Sequence, residues 1–428
     1  MPHIAIVTAG GAGMYCGSCM HDNTWARSLI RAGAEVTLVP TYTPIRVDEP
    51  NLSESEVYLG GLNVYLRSRW RWWRRLPDWS TRWLDRPGLI RWATRFSVSN
   101  EAAELGQLTL DMLAGAEGPQ RDGYRRLAQH LARELRPDAI IFSNALLAGA
   151  LPALRSVYSG PVFGTLQGDD VFLDSLPEGI RRRAIDAVGT LSHGFDGFLV
   201  HSQFYRDYMA EYLQLDRRRF QLLPLSIDPE GHDGQPGERI GQPFTVGYFA
   251  RMAPEKGLHH LVDAFAQLHS RLPTAQLRIG GYLGPQQEDY YRQQCSRLSQ
   301  LGDVWNAAGS PVSHAEKVEF YRSVDVLSVP TEFQEPKGLY VLEALANGVP
   351  VVQPAHGAFP ELIQSTGGGL LVPPRDPQAL ADAWLQLARD RERRVQLGTV
   401  GQQAVHTRFS LQRLAEETLR IVAAPTDG

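Results

Sequence analysis

Two glutamates eight residues apart, Glu335 and Glu343, bracket the stretch FQEPKGLYVLEALANG (333–348). From Leu339 to Ala346 every residue except Glu343 is apolar, and Gly348 stands where a helix would stop. A lone carboxylate on such a helix is costly unless something satisfies it. Carboxylates suit sugar hydroxyls, because two acceptor oxygens meet a pair of donors. Gly338 opens the helix, and free amides at Gly338 and Leu339 suit a phosphate, glycine allowing close backbone approach. A second anion site is expected in FTVGYFARMAPEKGLHHL (244–261), where Arg251 and Lys256 leave a buried strand just before a helix that begins at Gly257. One acid for a ribose, one for a hexose, and cations with helix N-termini for a diphosphate describe a nucleotide sugar. The competing reading pairs Glu343 with a buried arginine, leaves Glu335 solvated, and makes Arg251 and Lys256 ordinary surface residues.

The elements that must position these groups alternate along the chain. Strand-like runs fall at 4–9, 35–40, 138–144, 161–166, 197–202 and 220–225, with helical stretches between them. After a polar, Gly- and Pro-rich link (228–243) they restart at 244–250, 276–281, 304–309, 324–330 and 349–354. Continuous apolar strands alternating with helices imply parallel sheets covered on both faces. The expectation is an α/β protein of two facing Rossmann-like domains, with ligands at the carboxyl ends of the strands in the cleft between them.

Composition agrees with an enzyme of this kind. The chain has 428 residues, too many for one ordinary core, with 43% hydrophobic and 21% charged residues. A formal charge of −4 gives no global basic field for nucleic acid. Three cysteines are too few for a disulfide framework and suggest a reducing compartment. The N-terminus lacks the pattern of a signal peptide, and no run approaches the length of a membrane span, so a cytoplasmic location is expected.

With these motifs the chain resembles the retaining glycosyltransferases of family 4, which have the GT-B architecture. The resemblance runs from GGAG (10–13) to GVPVVQP (348–354), GAFPELI (357–363), GGGLLVPPRDPQALADA (367–383) and FSLQRLAEETL (409–419). It implies an acceptor-side domain over 1–228, a nucleotide-sugar-binding domain over 244–408, and a final helix within 409–428 that crosses back to the first domain. It also implies that Arg251 and Lys256 hold the donor diphosphate, Glu343 the ribose, and that Glu335 contacts the transferred sugar. The loop AGGAGMYCGSC (9–19), with Gly11 and Gly13, would lie against the donor phosphates or the acceptor. It lacks the spacing of a dinucleotide fingerprint. In TLQGDD (165–170), Gln167 stands where many members have the histidine near the reacting carbon, with Asp169 and Asp170 on the acceptor side. Glutamine forms hydrogen bonds but does not titrate near neutral pH, so its role is positional or the chemistry has changed. Alanine at 250 and lysine at 337 replace the usual glycine and aromatic residue.

The implied reaction moves a hexose from a nucleoside-diphosphate sugar to a saccharide, lipid or small-molecule acceptor, with a role in carbohydrate or cell-envelope biosynthesis. No cofactor is expected, and without a D-x-D motif no obligatory metal. The alternatives are a nucleotide-sugar epimerase of the same fold and a non-catalytic nucleotide-sugar-binding subunit. Cys16 and Cys19 form a C-x-x-C better explained as small residues in a tight loop than as a redox or zinc pair. The segment 65–96 carries six tryptophans among eleven charged residues. It reads as a cap on the N-terminal core, a peripheral membrane contact or an acceptor platform.

Overall fold

The computed structural model describes residues 1–10, 17–45, 47, 50–54, 57–59, 66, 73, 102–309 and 313–424. Gly11, Gly13, Cys16 and nearly all of the tryptophan-rich segment 65–96 lie outside the described residues. Contacts divide the chain into an N-terminal unit, Met1–Pro224 with Leu414–Gly428, and a C-terminal unit, Leu225–Arg413.

The N-terminal unit holds a six-stranded sheet of order β2-β1-β3-β4-β5-β6, every pairing parallel. The strands are β1 (His3–Thr8), β2 (Glu35–Pro40), β3 (Ala139–Phe142), β4 (Val162–Thr165), β5 (Gly197–Val200) and β6 (Phe220–Leu222). Burial on both faces explains their unbroken apolar runs: Ile4 to Val7, Ala139 to Phe142 and Phe198 to Val200 are all inaccessible or nearly so. Phe142, Phe198, Tyr124 and Tyr205 belong to one core cluster, and Ile4, Ile6, Trp25 and Phe163 to another. The last helix, Leu411–Ala423, completes the second cluster with Leu414, Ala415 and Ile421. Trp25 Nε1 donates to its Thr418 Oγ1 at 2.9 Å.

The C-terminal unit has a second six-stranded parallel sheet, order β12-β11-β10-β7-β8-β9. Its strands are β7 (Thr245–Phe249), β8 (Gln276–Gly280), β9 (Trp305–Gly309), β10 (Val326–Leu327), β11 (Val351–Pro354) and β12 (Gly369–Val372). Strand β10 is much shorter than the apolar run 324–330, because the chain past Leu327 turns into a loop. There Ser328 N donates to Gly247 O at 2.9 Å, and the Gln353 side chain receives Val329 N at 3.1 Å. Strand β12 has only four residues, three of them not buried, so its apolar run is too short to stand out in sequence.

The strand order fixes where chemistry can sit. The C-terminal sheet grows from β7 through β8 to β9, then returns to place β10 on the other side of β7. The loops after β7 and β10 therefore diverge at a topological switch point, where open parallel sheets bind ligands. The N-terminal sheet has its switch between β1 and β3. No helix among the described residues is long and apolar enough to cross a membrane.

Candidate functional site

The loop after β7 carries Arg251 and ends in a single tight turn, Pro254–Lys256, before the helix Leu258–Arg271. Gly257 joins turn to helix at φ +71°, and a Cβ there would lie 1.7 Å from the Pro330 carbonyl oxygen. Only glycine lets this turn approach the loop after β10 so closely. Gly357 plays a similar part from the far side: at φ +59° its missing Cβ would fall 2.6 Å from the Glu335 backbone. Ala358 N donates to Glu335 O at 2.8 Å. The two loops are thus packed backbone to backbone before any side chain is considered.

The result is a direct pair between the expected site residues. Lys256 Nζ donates to Glu335 Oε2 at 2.7 Å, and Tyr340 Oη donates to the same oxygen at 3.1 Å. Lys256 also lies 4.7 Å from the Phe333 ring centroid and 5.5 Å from that of Tyr340, within cation–π range. Glu335 is 5% exposed, so it is not solvated. Burial alone would push its carboxyl up. The Lys256 charge, the bonds from Lys256 and Tyr340, and Lys337 together hold it below the usual carboxylate value. Lys337, itself buried, adds a second positive charge near Glu335. Both bonds fall on Oε2, and no side-chain bond among the described residues ends on Oε1.

Arg251 is about half exposed and donates to Glu255, four residues on, at 2.7 Å. Neither cation is saturated: an ammonium has three donors and a guanidinium five. Gly338, φ +80°, caps the helix Leu339–Ala346; Val341 N donates to the Gly338 carbonyl at 2.9 Å, and the amides ahead of it have no intrahelical acceptor.

Glu343 is held as Glu335 is, by an ammonium and a tyrosine. Its Oε1 accepts from Lys317 Nζ at 2.8 Å and its Oε2 from Tyr321 Oη at 2.7 Å. Burial opposes its ionisation, but Lys317, Tyr321 and nearby His232 keep it below the ordinary value. The buried cation is a lysine rather than an arginine, and it leaves lone pairs open on both oxygens. Asn347 Nδ2 donates to the Glu343 carbonyl at 2.9 Å and lies 2.7 Å from His232 Nδ1.

Gln167, Asp169 and Asp170 belong to the N-terminal unit, where the ends of β1, β3 and β4 converge. Gln167 Nε2 donates to Ser143 O at 2.7 Å and to Asp22 Oδ1 at 3.2 Å, which commits both amide protons. Asp22, fully buried, also receives Thr8 Oγ1 at 2.7 Å. Asp169 accepts the amides of Ala145 and Gln167 at 2.8 and 3.1 Å, and burial raises its pKa to about 6. Asp170 accepts from Tyr205 Oη at 2.5 Å; that hydroxyl also receives Gly168 N at 2.8 Å. The observed bonds of both aspartates shape the turn that presents Gln167.

Sequence reading missed Lys317, Tyr321, Tyr340, Asp22 and His232. Lys317 sits in HAEKVEFYR, which looks like a solvated helix, and its contact with Glu343 spans 26 residues. Only Tyr340 offered a signal, being five residues after Glu335 on the first turn of the helix that follows it.

Residues 234–404 match the family profile described as "Glycosyl transferases group 1". Among curated proteins the chain is 36% identical over 236 residues to the D-inositol 3-phosphate glycosyltransferase of Corynebacterium glutamicum (strain R). That match covers 52% of this chain and 55% of the relative. The chain spans about half the length of the first curated relatives it matches. Among solved structures, sucrose-phosphate synthase from Thermosynechococcus elongatus superposes with a TM-score of 0.70 at 19% identity, covering 98% of both chains. Anabaena HepE in complex with UDP and glucose gives 0.68 at 17% identity, covering 98% of this chain and 99% of that one. These likenesses establish the fold, a GT-B architecture.

Proposed function

We propose that this chain, whose residues 234–404 match the group 1 glycosyl transferases, moves a hexose from a nucleoside-diphosphate sugar to an acceptor with retention at the anomeric carbon. The observation that carries this reading is the Lys256–Glu335 pair at the β7/β10 switch point. It joins a phosphate-binding cation to a hydroxyl-binding acid, as the junction between diphosphate and sugar requires. The HepE structure, a complex with UDP and glucose, supports a donor of this class.

In the proposed reaction the bond between the anomeric carbon and the diphosphate oxygen breaks, and its electron pair stays on that oxygen. Lys256, Arg251 and the helix N-termini at Gly257 and Gly338 oppose the growing negative charge. Glu335, through Oε1, orients the hexose hydroxyls; Glu343 holds the ribose. The acceptor hydroxyl attacks the face that the diphosphate leaves and gives its proton to the departing phosphate oxygen. These fixed charges supply what a metal at the diphosphate would, so none is assigned there. Gln167 is given a positioning role. We place the enzyme in the cytoplasm, acting in carbohydrate or envelope biosynthesis.

A thermal-shift panel of UDP-, GDP- and ADP-sugars tests the reading, since a bound donor stabilises the folded protein by mass action. One nucleotide series should raise the melting temperature, and that donor should then be turned over slowly to free nucleotide and hexose of unchanged configuration. Stabilisation without any turnover would instead describe a binding subunit, and an altered sugar an epimerase.

A further inference from the structure

A second cluster, none of whose members is assigned to the donor, joins the helix after the β7 loop to the loop after β10. His259 and His260 stand in the first turn of the helix Leu258–Arg271, and Glu332 lies three residues before Glu335. His259 Nε2 is 2.9 Å and His260 Nε2 3.1 Å from one atom, Glu332 Oε1. All three ligand atoms lie within 4.8 Å of one another, and the side chains are partly buried. We propose that His259, His260 and Glu332 form a binding site for a late first-row divalent cation, Zn2+ in particular.

The distances suit an ion as well as they suit hydrogen bonds. Tetrahedral zinc with metal–ligand bonds of about 2.0–2.2 Å sets its ligand atoms roughly 3.3–3.5 Å apart. The two nitrogen–oxygen separations would open by only a few tenths of an ångström to admit the ion. The second shell is present as well. His259 Nδ1 lies 2.8 Å from Tyr290 Oη, which also receives the His259 amide at 3.1 Å. This fixes the ring and leaves Nε2 to face the carboxylate, the arrangement that metal-ligating histidines use. The Glu332 amide donates to Glu255 O at 2.9 Å, so the carboxylate is held from its own backbone.

The donor set identifies the class of ion. Two imidazoles and one carboxylate suit zinc, cobalt or nickel, whereas magnesium and calcium prefer oxygen ligands. Three protein ligands leave a fourth position for water. Glu332 shares its loop with Glu335, and His259 follows Lys256 closely in the chain. An ion here would tie the helix that follows the β7 loop to the loop that carries Glu335, beside the Lys256–Glu335 pair.

The test uses untagged full-length protein stripped with EDTA and dialysed, then titrated with Co2+ while the visible spectrum is recorded. One equivalent should bind with tetrahedral absorption bands and no thiolate charge-transfer band, and Zn2+ should displace it while millimolar Mg2+ should not. His260→Gln and Glu332→Gln should each lower cobalt affinity at least tenfold. Zn2+ should raise the melting temperature of the wild type and of neither variant; melting of the stripped variants shows that they are folded. Binding of unchanged strength in both variants, a thiolate band, or no binding to the wild type would overturn the site.

Discussion

Lys256 Nζ meets Glu335 Oε2 at 2.7 Å across 79 residues of chain, with the lysine ammonium also facing the Phe333 and Tyr340 rings. Both partners are largely buried, so each is the other's main compensation for lost water. Breaking such a pair from one side leaves an uncompensated buried charge, typically about 3–5 kcal/mol. Lys256→Ala should therefore lower the urea midpoint markedly and weaken nucleotide-diphosphate binding more than tenfold. Glu335→Gln keeps a hydrogen-bonding group for Tyr340 and should depress turnover and sugar discrimination with free-nucleotide affinity nearly intact. A Lys256→Ala variant as stable as the wild type would show that the pair does not form in solution.

Arg251 offers the cleaner probe of the proposed phosphate site. Its bond to Glu255 is an exposed pair within one loop, worth roughly 0–1 kcal/mol. Arg251→Ala should leave the melting curve almost unmoved. A charge-assisted bond to phosphate is worth about 1.5–3 kcal/mol, so nucleotide affinity should fall more than tenfold. Calorimetry that finds the affinity unchanged would remove Arg251 from the site.

Glu343 carries a structural duty and a proposed binding one, and a double variant separates them. Glu343→Gln leaves Lys317 buried without its anion, so melting should fall by several degrees and nucleotide affinity should drop too. Adding Lys317→Met removes the stranded charge and should restore most of the stability but not the affinity. If affinity returns together with stability, Glu343 serves only its ion pair.

The sequence made the sheets legible and the pairing of charges illegible, for one physical reason. Strands buried on both faces leave unbroken apolar runs, as Ile4 to Val7 does, and these are visible locally. The Glu335–Glu343 spacing and the Arg251–Lys256 loop are local too. Which cation serves which acid depends on how loops pack, and there the lone acid of an apolar helix finds its lysine on a separate helix, Lys317 within His314–Arg322. Gly257 and Gly357 show why: the approach of the two loops rests on absent Cβ atoms, which a sequence records only as two more glycines.

Gln167 spends both amide protons on Ser143 O and Asp22, so its effect on catalysis should be positional. Gln167→Ala should lower turnover and leave the shape of the pH profile intact. Asp22→Asn should mimic it in part, because the amide that replaces Oδ1 or Oδ2 cannot accept from both Gln167 and Thr8. Loss of a titration step near neutral pH in the Gln167 variant would show proton transfer instead.

His232 should make the C-terminal unit sensitive to mild acid. Burial, with His314, Lys317 and His406 nearby, lowers its pKa to about 4 despite the attraction of Glu343. The Asn347 amide donates to Nδ1, a bond available only while that nitrogen is unprotonated. An unfolded histidine takes up its proton near pH 6.5, the folded one only near 4, so between these values the unfolded state binds more protons. The stabilisation is complete above pH 6.5 and lost as pH falls toward 4, amounting to at most about 2 kcal/mol between pH 7 and pH 5. Asp169 has the opposite sign: its raised pKa, about 6, makes the folded state hold the extra proton, so its contribution grows on acidification. The informative quantity is therefore the difference between wild type and His232→Gln, whose amide oxygen can still accept from Asn347. Denaturant midpoints measured from pH 7 to pH 5 should fall less steeply in the variant. Parallel slopes would mean that His232 titrates normally in the folded protein, and that its bond to Asn347 is not kept.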